Sequence, residues 1–317
     1  MSKQPLIEQL NEAIERILTD PTAQRSSVDA SLTDLLAMAR DLRAMPRPDF
    51  KARLKTELER NITMSTKIAT TRPGFRTLTP YLLPPNAGYL DFLTNVFGGV
   101  VTARHEAGPD RLHAEVRLGD SMLMVGVGSG RSMPVMLLAY VPDADAVYQR
   151  ALAAGCKNLE PMMVNHGDRF GCVEDAAGNQ WCIATHLGAS YIKPNHNAIT
   201  TCFHPEGAAR FIDFLKQAFG ATEIERHSGP GGKVMWAAIR IGDSTIGVGE
   251  PSNHSWLRPT PTMSYVYVPD ADAAYAQAMR AGAKSIYAPA DQPYGDRNGG
   301  VEDEWGNQWF MASPIEK

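Results

Sequence analysis

A stretch with the composition of a β-hairpin occurs twice, and this duplication constrains the fold more than any other feature. Residues 165–181 and 293–309 are identical at 11 of 17 positions, including Gly-Asp-Arg, Val-Glu-Asp and Gly-Asn-Gln-Trp. The shared Asp-x-x-Gly-Asn is typical of a tight turn, because Asp bonds nearby backbone groups and Gly tolerates positive φ. Each copy is therefore predicted to form strand, turn and strand in a duplicated chain.

The duplication extends upstream of the hairpin. Further segments match in the same order: 89–99 with 211–221, 116–121 with 239–244, and 141–157 with 268–284. The repeat unit of about 120 residues is long enough for a domain with its own core. We place the repeats at 75–188 and 195–315, after a helical segment and linker at 1–70.

Composition excludes several classes of protein. A net charge of -4 gives no electrostatic reason to expect nucleic acid or an anionic membrane as partner. No apolar run approaches the ~18 residues of a membrane span, and the N-terminus lacks a signal-peptide pattern. The cysteines, which form no CxxC pair, are Cys156, Cys172, Cys182 and Cys202. They argue against a disulfide framework or zinc site and for a reducing cytoplasm.

The first 61 residues are predicted to form short amphipathic helices. Leu6, Leu10, Ile14 and Leu18 recur at four-residue spacing, and similar apolar patterns follow around 32–42 and 50–58. Such helices must bury their apolar faces against another surface. That surface is the following domain or the partner in a homodimer; the alternative is an interaction module.

Each repeat contains the same order of predicted elements. A strand leads into a helix that ends at Phe97-Gly98 or Phe219-Gly220, and three strands follow. A second strand then leads into a helix that begins at Asp143 or Asp270. That half ends with strands that include the duplicated hairpin. Each repeat is therefore βαβββ twice, and the chain holds four such modules.

The matched motifs resemble the vicinal oxygen chelate superfamily, which groups glyoxalases, bleomycin-resistance proteins and extradiol dioxygenases, and within it the PhnB-like branch. The first-repeat residues that carry the resemblance are Phe92, Phe97-Gly98, Arg117–Ser121, Tyr140–Asp145, Gly167–Arg169, Glu174-Asp175 and Gly178–Trp181. The resemblance implies an α+β fold of two tandem glyoxalase-like domains after a small helical segment. Each domain pairs βαβββ modules around one cup, and the fold alone does not imply a function.

Enzymes of this superfamily commonly hold a divalent metal through His, Gln or Glu on the first and last strand of each module. Alignment places Thr79, Met124, Met136 and Cys182 at these positions in the first repeat, and Thr200, Gly247, Met263 and Phe310 in the second. These side chains cannot form a site of imidazoles and carboxylates. We therefore expect both cups to be free of metal, and we predict no cofactor.

Two Gly-Asp-Arg motifs carry candidate binding residues. Arg169 and Arg297 each follow an Asp near the predicted rim of a cup. Either the adjacent Asp and Arg pair to order the hairpin, or the Arg binds a carboxylate or phosphate of a ligand. Pairing is favoured, because both repeats keep the motif while their predicted cup residues differ. Trp181 and Trp309 are interpreted as core residues.

The aligned cup positions predict different linings in the two repeats. His113 corresponds to Trp236, Cys182 to Phe310, and Tyr81 to Phe203, so the second cup is predicted to be more apolar. The full set of predicted ligand-binding residues is Tyr81, His113, Arg169, Phe203, Trp236, Tyr265, Arg297 and Phe310.

Three functions are consistent with these patterns. The first is a metal-independent protein that binds a small organic molecule in an aromatic-lined cup, as in bleomycin-resistance proteins. The second is an enzyme of the glyoxalase, isomerase, lyase or dioxygenase kind, with His113, Glu115 and Glu250 as candidate acids and bases. The third is an interaction or regulatory protein that works through its N-terminal helices. Whether the chain is an enzyme stays open here.

Overall fold

Residues 71–315 are described by a computed structural model, apart from residues 107, 109 and 129 and the side chain of Asn253. The helical segment and linker predicted at 1–70 lie outside this range. No helix between residues 71 and 315 is long and apolar enough to cross a membrane.

The described chain forms four βαβββ modules in sequence, as the duplication predicts. The first repeat consists of β1 Leu78–Leu82, α1 Tyr89–Phe97, β2 Val100–Glu106, β3 Leu112–Leu118, β4 Ser121–Val127, β5 Met136–Tyr140, α2 Ala144–Ala153, β6 Lys157–Asn165, β7 Asp168–Glu174 and β8 Gln180–His186. The second consists of β9 Ile199–Phe203, α3 Ala208–Phe219, β10 Thr222–Ser228, β11 Val234–Ile241, β12 Ser244–Val248, β13 Met263–Tyr267, α4 Ala271–Arg280, β14 Lys284–Asp291, β15 Asp296–Glu302 and β16 Gln308–Pro314.

The helices begin and end where local chemistry predicts. Asp143 and Asp270 are the N-caps of α2 and α4, and each carboxylate accepts the backbone N–H three residues later. Gly98 and Gly220 close α1 and α3 with φ of 72° and 63°, the left-handed conformation that glycine adopts without a Cβ clash. The same capping chemistry therefore defines equivalent helices in both repeats.

The sheets combine modules from both repeats. Sheet I joins the first and fourth modules in the order β14-β15-β16-β13-β1-β4-β3-β2. Sheet II joins the third and second modules in the order β10-β11-β12-β9-β5-β8-β7-β6. The α+β glyoxalase-like fold is confirmed, but the expectation of one cup per repeat is wrong. Strand β1 pairs antiparallel with β13, and β5 pairs antiparallel with β9, so each sheet spans the two repeats.

Helices cover one face of each sheet. One core packs α1 and α2 against both sheets, and a second core does the same with α3 and α4. Trp181 and Trp309 lie fully buried in these cores, which confirms their interpretation as core residues. Side chains alternate between the two faces along a strand, so the residues between the core positions point to the opposite face of each sheet. We call it the cup face.

The duplicated hairpin is held by a buried carboxylate in each copy. Oδ1 of Asp175 accepts the backbone N–H groups of Ala177 and Asn179, both at 2.9 Å, and Oδ2 accepts Nε1–H of Trp181 at 2.9 Å. Asp303 makes the equivalent bonds in the second copy, including one from Trp309. The duplicated Glu-Asp-x-x-Gly-Asn-Gln-Trp pattern therefore encodes a turn and the position of a core tryptophan.

The Gly-Asp-Ser turns join the two repeats. Asp243 and Ser244 accept the backbone N–H groups of Thr77 at 2.7 Å and Leu78 at 2.9 Å, where β1 begins. By the pseudo-symmetric arrangement, Asp120 and Ser121 accept the N–H groups that begin β9. Each turn thus orients the first strand of the other repeat.

Replacing Asp243 by Ala should lower the free energy of unfolding by about 1–3 kcal/mol, since the partly buried N–H of Thr77 loses its acceptor. Urea denaturation of the full chain measures this loss. Asp213→Ala, an exposed aspartate within α3, is the control and should change stability little. Equal effects of the two substitutions would show that the turn does not hold β1.

Candidate functional site

The cup face of sheet I is rich in tyrosine. It combines Tyr81 and His113 of the first module with Tyr265, Tyr267 and Phe310 of the fourth. We call this surface the tyrosine cup. Phe75, which lies just before β1, packs edge-on against Tyr267 with ring centroids 5.6 Å apart and covers part of it. From the predicted set, the fold brings five residues from opposite ends of the described chain onto this face: Tyr81, His113, Glu115, Tyr265 and Phe310.

One side of the tyrosine cup carries a chain of polar contacts. The Tyr81 hydroxyl lies 3.0 Å from Nδ1 of His113, whose Nε2 is 4.0 Å from Oε1 of Glu115. The same Glu115 oxygen accepts from Arg72 at 2.8 Å, so the buried carboxylate is paired. Burial lowers the pKa of His113 and raises the pKa of Tyr81 to about 12. At neutral pH His113 is therefore a neutral imidazole and Tyr81 a protonated phenol.

The other side centres on Asp296, which is 1% exposed. Its Oδ2 accepts the hydroxyls of Tyr265 at 2.8 Å and Tyr267 at 3.4 Å. Neighbouring Asn298 accepts the hydroxyl of Tyr287. Within residues 71–315, the buried atoms Asp296 Oδ1, Asn298 Nδ2 and Thr79 Oγ1 have no hydrogen-bond partner. Buried polar groups are normally paired, so these atoms mark a polar patch on an aromatic surface.

The cup face of sheet II has different chemistry. The ring of Trp236 occupies the space above Gly247, and a disulfide joins Cys172 to Cys182 across β7 and β8. The prediction that the cysteines form no disulfide framework is therefore wrong for this pair. Cys202 is free and buried, and burial raises the pKa of its thiol to about 12, as expected of an inert thiol.

A buried histidine directly after β9 should make stability depend on pH. Burial, and then nearby His254, lower the pKa of His204 to about 4 from an ordinary value of 6.5. Between about pH 6.5 and 4 the unfolded chain binds the proton more readily, so stability should fall as pH falls through this window. Urea denaturation at pH 7, 5.5 and 4.5 checks this. His204→Gln should flatten the dependence, and an unchanged slope would contradict it.

The predicted correspondence of Tyr81 with Phe203 is displaced by one residue. Tyr81 pairs with Met124, and Cys202 occupies the equivalent position opposite Gly247. A shift of one residue moves a side chain to the other face of a strand. Phe203 accordingly lies in the core between Phe211 and Trp309, outside either cup face.

The arginines of the Gly-Asp-Arg motifs pair with helices. Arg169 forms two bonds with Asp145 in the first turn of α2, at 2.9 and 2.5 Å, and Arg297 pairs with Asp272 of α4 and with Asp291. A structural pairing is present, but the partner is not the adjacent aspartate as predicted. In the first copy that aspartate, Asp168, binds other groups instead.

Glu250 also has a structural contact. Its carboxylate accepts the backbone N–H groups of Gly207 and Ala208 at 3.2 and 2.9 Å, where α3 begins. This satisfies N–H groups that a helix leaves without an internal partner. Glu250 is thus separate from His113 and Glu115, which lie side by side on β3 in the tyrosine cup.

The residues at the family's metal positions do not fit a divalent metal ion. Of the aligned positions, Thr79 and Phe310 lie in one row across sheet I with Tyr265 between them. Thr200 and Cys182 lie in one row across sheet II with Leu138 between them. These rows offer two threonine hydroxyls, a phenol, apolar side chains and a disulfide sulfur. They lack the imidazoles and carboxylates that a divalent metal requires. Among the described residues, no group of three or more His, Cys, Asp or Glu side chains could hold a metal.

Comparison with known proteins agrees with this architecture. Residues 205–311 match the profile of the Glyoxalase/Bleomycin resistance protein/Dioxygenase superfamily. An uncharacterized protein of Mycobacterium bovis is 36% identical over 119 residues, which cover 35% of this chain and 78% of that protein. The chain belongs to this superfamily. An uncharacterized Mycobacterium tuberculosis protein (strain H37Rv) is also 36% identical over 119 residues, covering 35% of this chain and 70% of that protein.

Solved structures share the superfamily fold over most of the described chain. Glyoxalase I from Zea mays matches with a TM-score of 0.58 and 13% identity, covering 75% of this chain and 92% of that one. At this identity the likeness concerns the fold alone.

Sequence reasoning missed several residues of the tyrosine cup. These are Arg72, Tyr267, Tyr287, Asp296 and Asn298. Asp296 was considered only as a partner for Arg297. The alternation of side chains along a strand could have identified it, because Asp296 and Asn298 lie two residues apart on one strand and so share a face.

Proposed function

We propose that the tyrosine cup binds a small organic molecule without a metal ion, in the manner of the bleomycin-resistance branch of the superfamily. The observation that carries this proposal is the combination of aromatic side chains with unpaired buried polar atoms on one face of sheet I. Ligand sites are typically apolar and aromatic with a few polar groups that orient the ligand. The side chains at the metal positions supply no alternative anchor.

Native mass spectrometry with metal analysis on the full chain tests this proposal. We expect a retained small molecule and substoichiometric zinc, nickel, manganese or iron. Phe310→Ala should release the molecule, because its ring lines the tyrosine cup, while Trp236→Ala on sheet II is the matched control. Retention by Phe310→Ala, or one tightly bound metal per cup, would contradict the proposal.

A metal-independent enzyme is the second candidate function, and the Tyr81–His113 contact favours it. A neutral His113 can accept a proton, and Tyr81 can donate one, within the same cup. His113→Gln should then retain a different molecule from the wild-type chain, namely substrate in place of product. The same molecule at the same occupancy in both proteins would leave ligand binding as the function.

The remaining expectations are part of the same proposal. We infer a protein of the PhnB-like branch, without cofactor, nucleic-acid or membrane partners. A cytoplasmic location loses its support from the cysteine pattern, because Cys172 and Cys182 form a disulfide. A homodimer through residues 1–70, or an interaction role for that segment, is tested by truncation and measurement of mass in solution.

A further inference from the structure

The equivalent aspartates of the two Gly-Asp-Arg motifs, Asp168 and Asp296, lie in different environments. In sheet II, Oδ2 of Asp168 accepts the hydroxyl of Tyr140 at 2.9 Å, and Oδ1 lies 2.7 Å from Nδ1 of His186. Cross-strand pairing sets Asp168 opposite His186. One carboxylate oxygen is thus bound by a phenol and the other by an imidazole.

In sheet I the imidazole is missing. Asp296 corresponds to Asp168, and Tyr267 takes the place of Tyr140. The residue opposite Asp296 is Pro314, which has no N–H and no side-chain donor. In sheet II the equivalent oxygen, Oδ1 of Asp168, bonds the His186 imidazole. Oδ1 of Asp296 therefore has no partner among the described residues.

The charge of Asp296 is also unbalanced locally. None of the ion pairs formed within residues 71–315 includes it, although it is almost completely buried. A buried carboxylate is normally paired with a cation or with several donors. Here the two donors, Tyr265 and Tyr267, are neutral phenols on the same oxygen.

Aromatic rings surround this carboxylate. Besides Tyr265 and Tyr267, Tyr294 lies on the turn before β15, two residues before Asp296. Tyr287 stacks on Phe310 with ring centroids 5.9 Å apart. Aromatic faces attract organic cations through their quadrupoles, and a carboxylate among them adds a formal charge. Tyr294 is 60% exposed, so it lies at the solvent-facing border of these rings.

We propose that the tyrosine cup selects a small organic amine in its protonated form, with an ammonium N–H donated to Oδ1 of Asp296 and the hydrocarbon part against the tyrosine rings. This inference rests on the proposed function and specifies its ligand class. The ammonium takes the place that the His186 imidazole occupies in sheet II.

Matched probes of one shape and three charges test the inference. Benzylamine, benzyl alcohol and benzoate are titrated calorimetrically into the full chain at pH 7. We expect benzylamine to bind at least about tenfold more tightly than benzyl alcohol, as is common for charge-assisted contacts, and benzoate to bind more weakly than both.

Two substitutions locate the preference. Asp296→Asn should reduce benzylamine affinity to that of benzyl alcohol, while Asp168→Asn in sheet II is the matched control and should leave it unchanged. Pro314→His supplies the imidazole of the other copy. It should weaken benzylamine binding at least about tenfold while preserving the melting temperature, and it decides the matter if Asp296→Asn does not fold.

The outcomes separate this inference from the proposed function. Equal affinities for benzylamine and benzyl alcohol, both lost in Phe310→Ala, would overturn the cation preference and keep the binding cup. Benzylamine affinity that survives both Asp296→Asn and Pro314→His would also overturn it. If benzylamine does not bind, the inference fails, and the retained-molecule measurement decides the proposed function independently.

Discussion

Replacing Asp175 by Ala is expected to lower the free energy of unfolding by about 3–5 kcal/mol, because several buried donors lose their acceptor together. Besides the turn N–H groups and Trp181, the carboxylate accepts the hydroxyl of buried Tyr89. Urea denaturation measures the change.

Two further variants make this result specific. Asp303→Ala should destabilise in the same direction but less, since Phe211 stands in the second repeat where Tyr89 stands in the first and offers no hydroxyl. Asp145→Ala removes only the exposed pair with Arg169 and should cost far less. A similar loss for Asp145→Ala and Asp175→Ala would refute the central role given to the buried carboxylate.

Removing the disulfide between Cys172 and Cys182 is expected to cost about 3 kcal/mol, on the chain-entropy scale for a loop of this length. Cys172→Ala combined with Cys182→Ala should lower the urea midpoint, and a reductant should lower the wild-type midpoint to a similar value. Cys156→Ala, which removes a free buried thiol, is the control and should leave the sensitivity to reductant intact.

Thiol counting provides an independent check of the disulfide. Denatured protein should show only the thiols of Cys156 and Cys202 before reduction, and all four cysteines afterwards. Four reactive thiols in unreduced protein, together with no effect of reductant on stability, would contradict the cross-link.

Much of the fold was predictable because the repeated motifs are local devices. Asp143 caps a helix, Gly98 ends one, and Asp175 closes a hairpin, and each acts within a few residues of its own position. The disulfide could also have been found. Counting outward from the predicted turn places Cys172 directly opposite Cys182, although composition alone argued for free thiols.

The pairing of modules was not predictable by the same reasoning. Strands β1, β5, β9 and β13 each begin a module and present equivalent edges, so local sequence does not decide which edges join. The choice depends on distant contacts such as those of Asp243 with Thr77. The tyrosine cup was therefore predicted only in part. Tyr81 and Tyr265 were each identified as candidate ligand-binding residues, but their position on one sheet was not predicted.

The union of the first and last modules in sheet I has a consequence for biosynthesis. The strands of sheet II come from consecutive modules, so all of them have been translated before β13 emerges from the ribosome. Strand β1 must wait for β13, and this long-range closure has a high contact order, which slows folding. During that interval β1 is an unprotected edge that another chain could pair with. A chain truncated before β13 keeps this exposed edge. It also cannot assemble the tyrosine cup, because Tyr81 is translated long before Asp296.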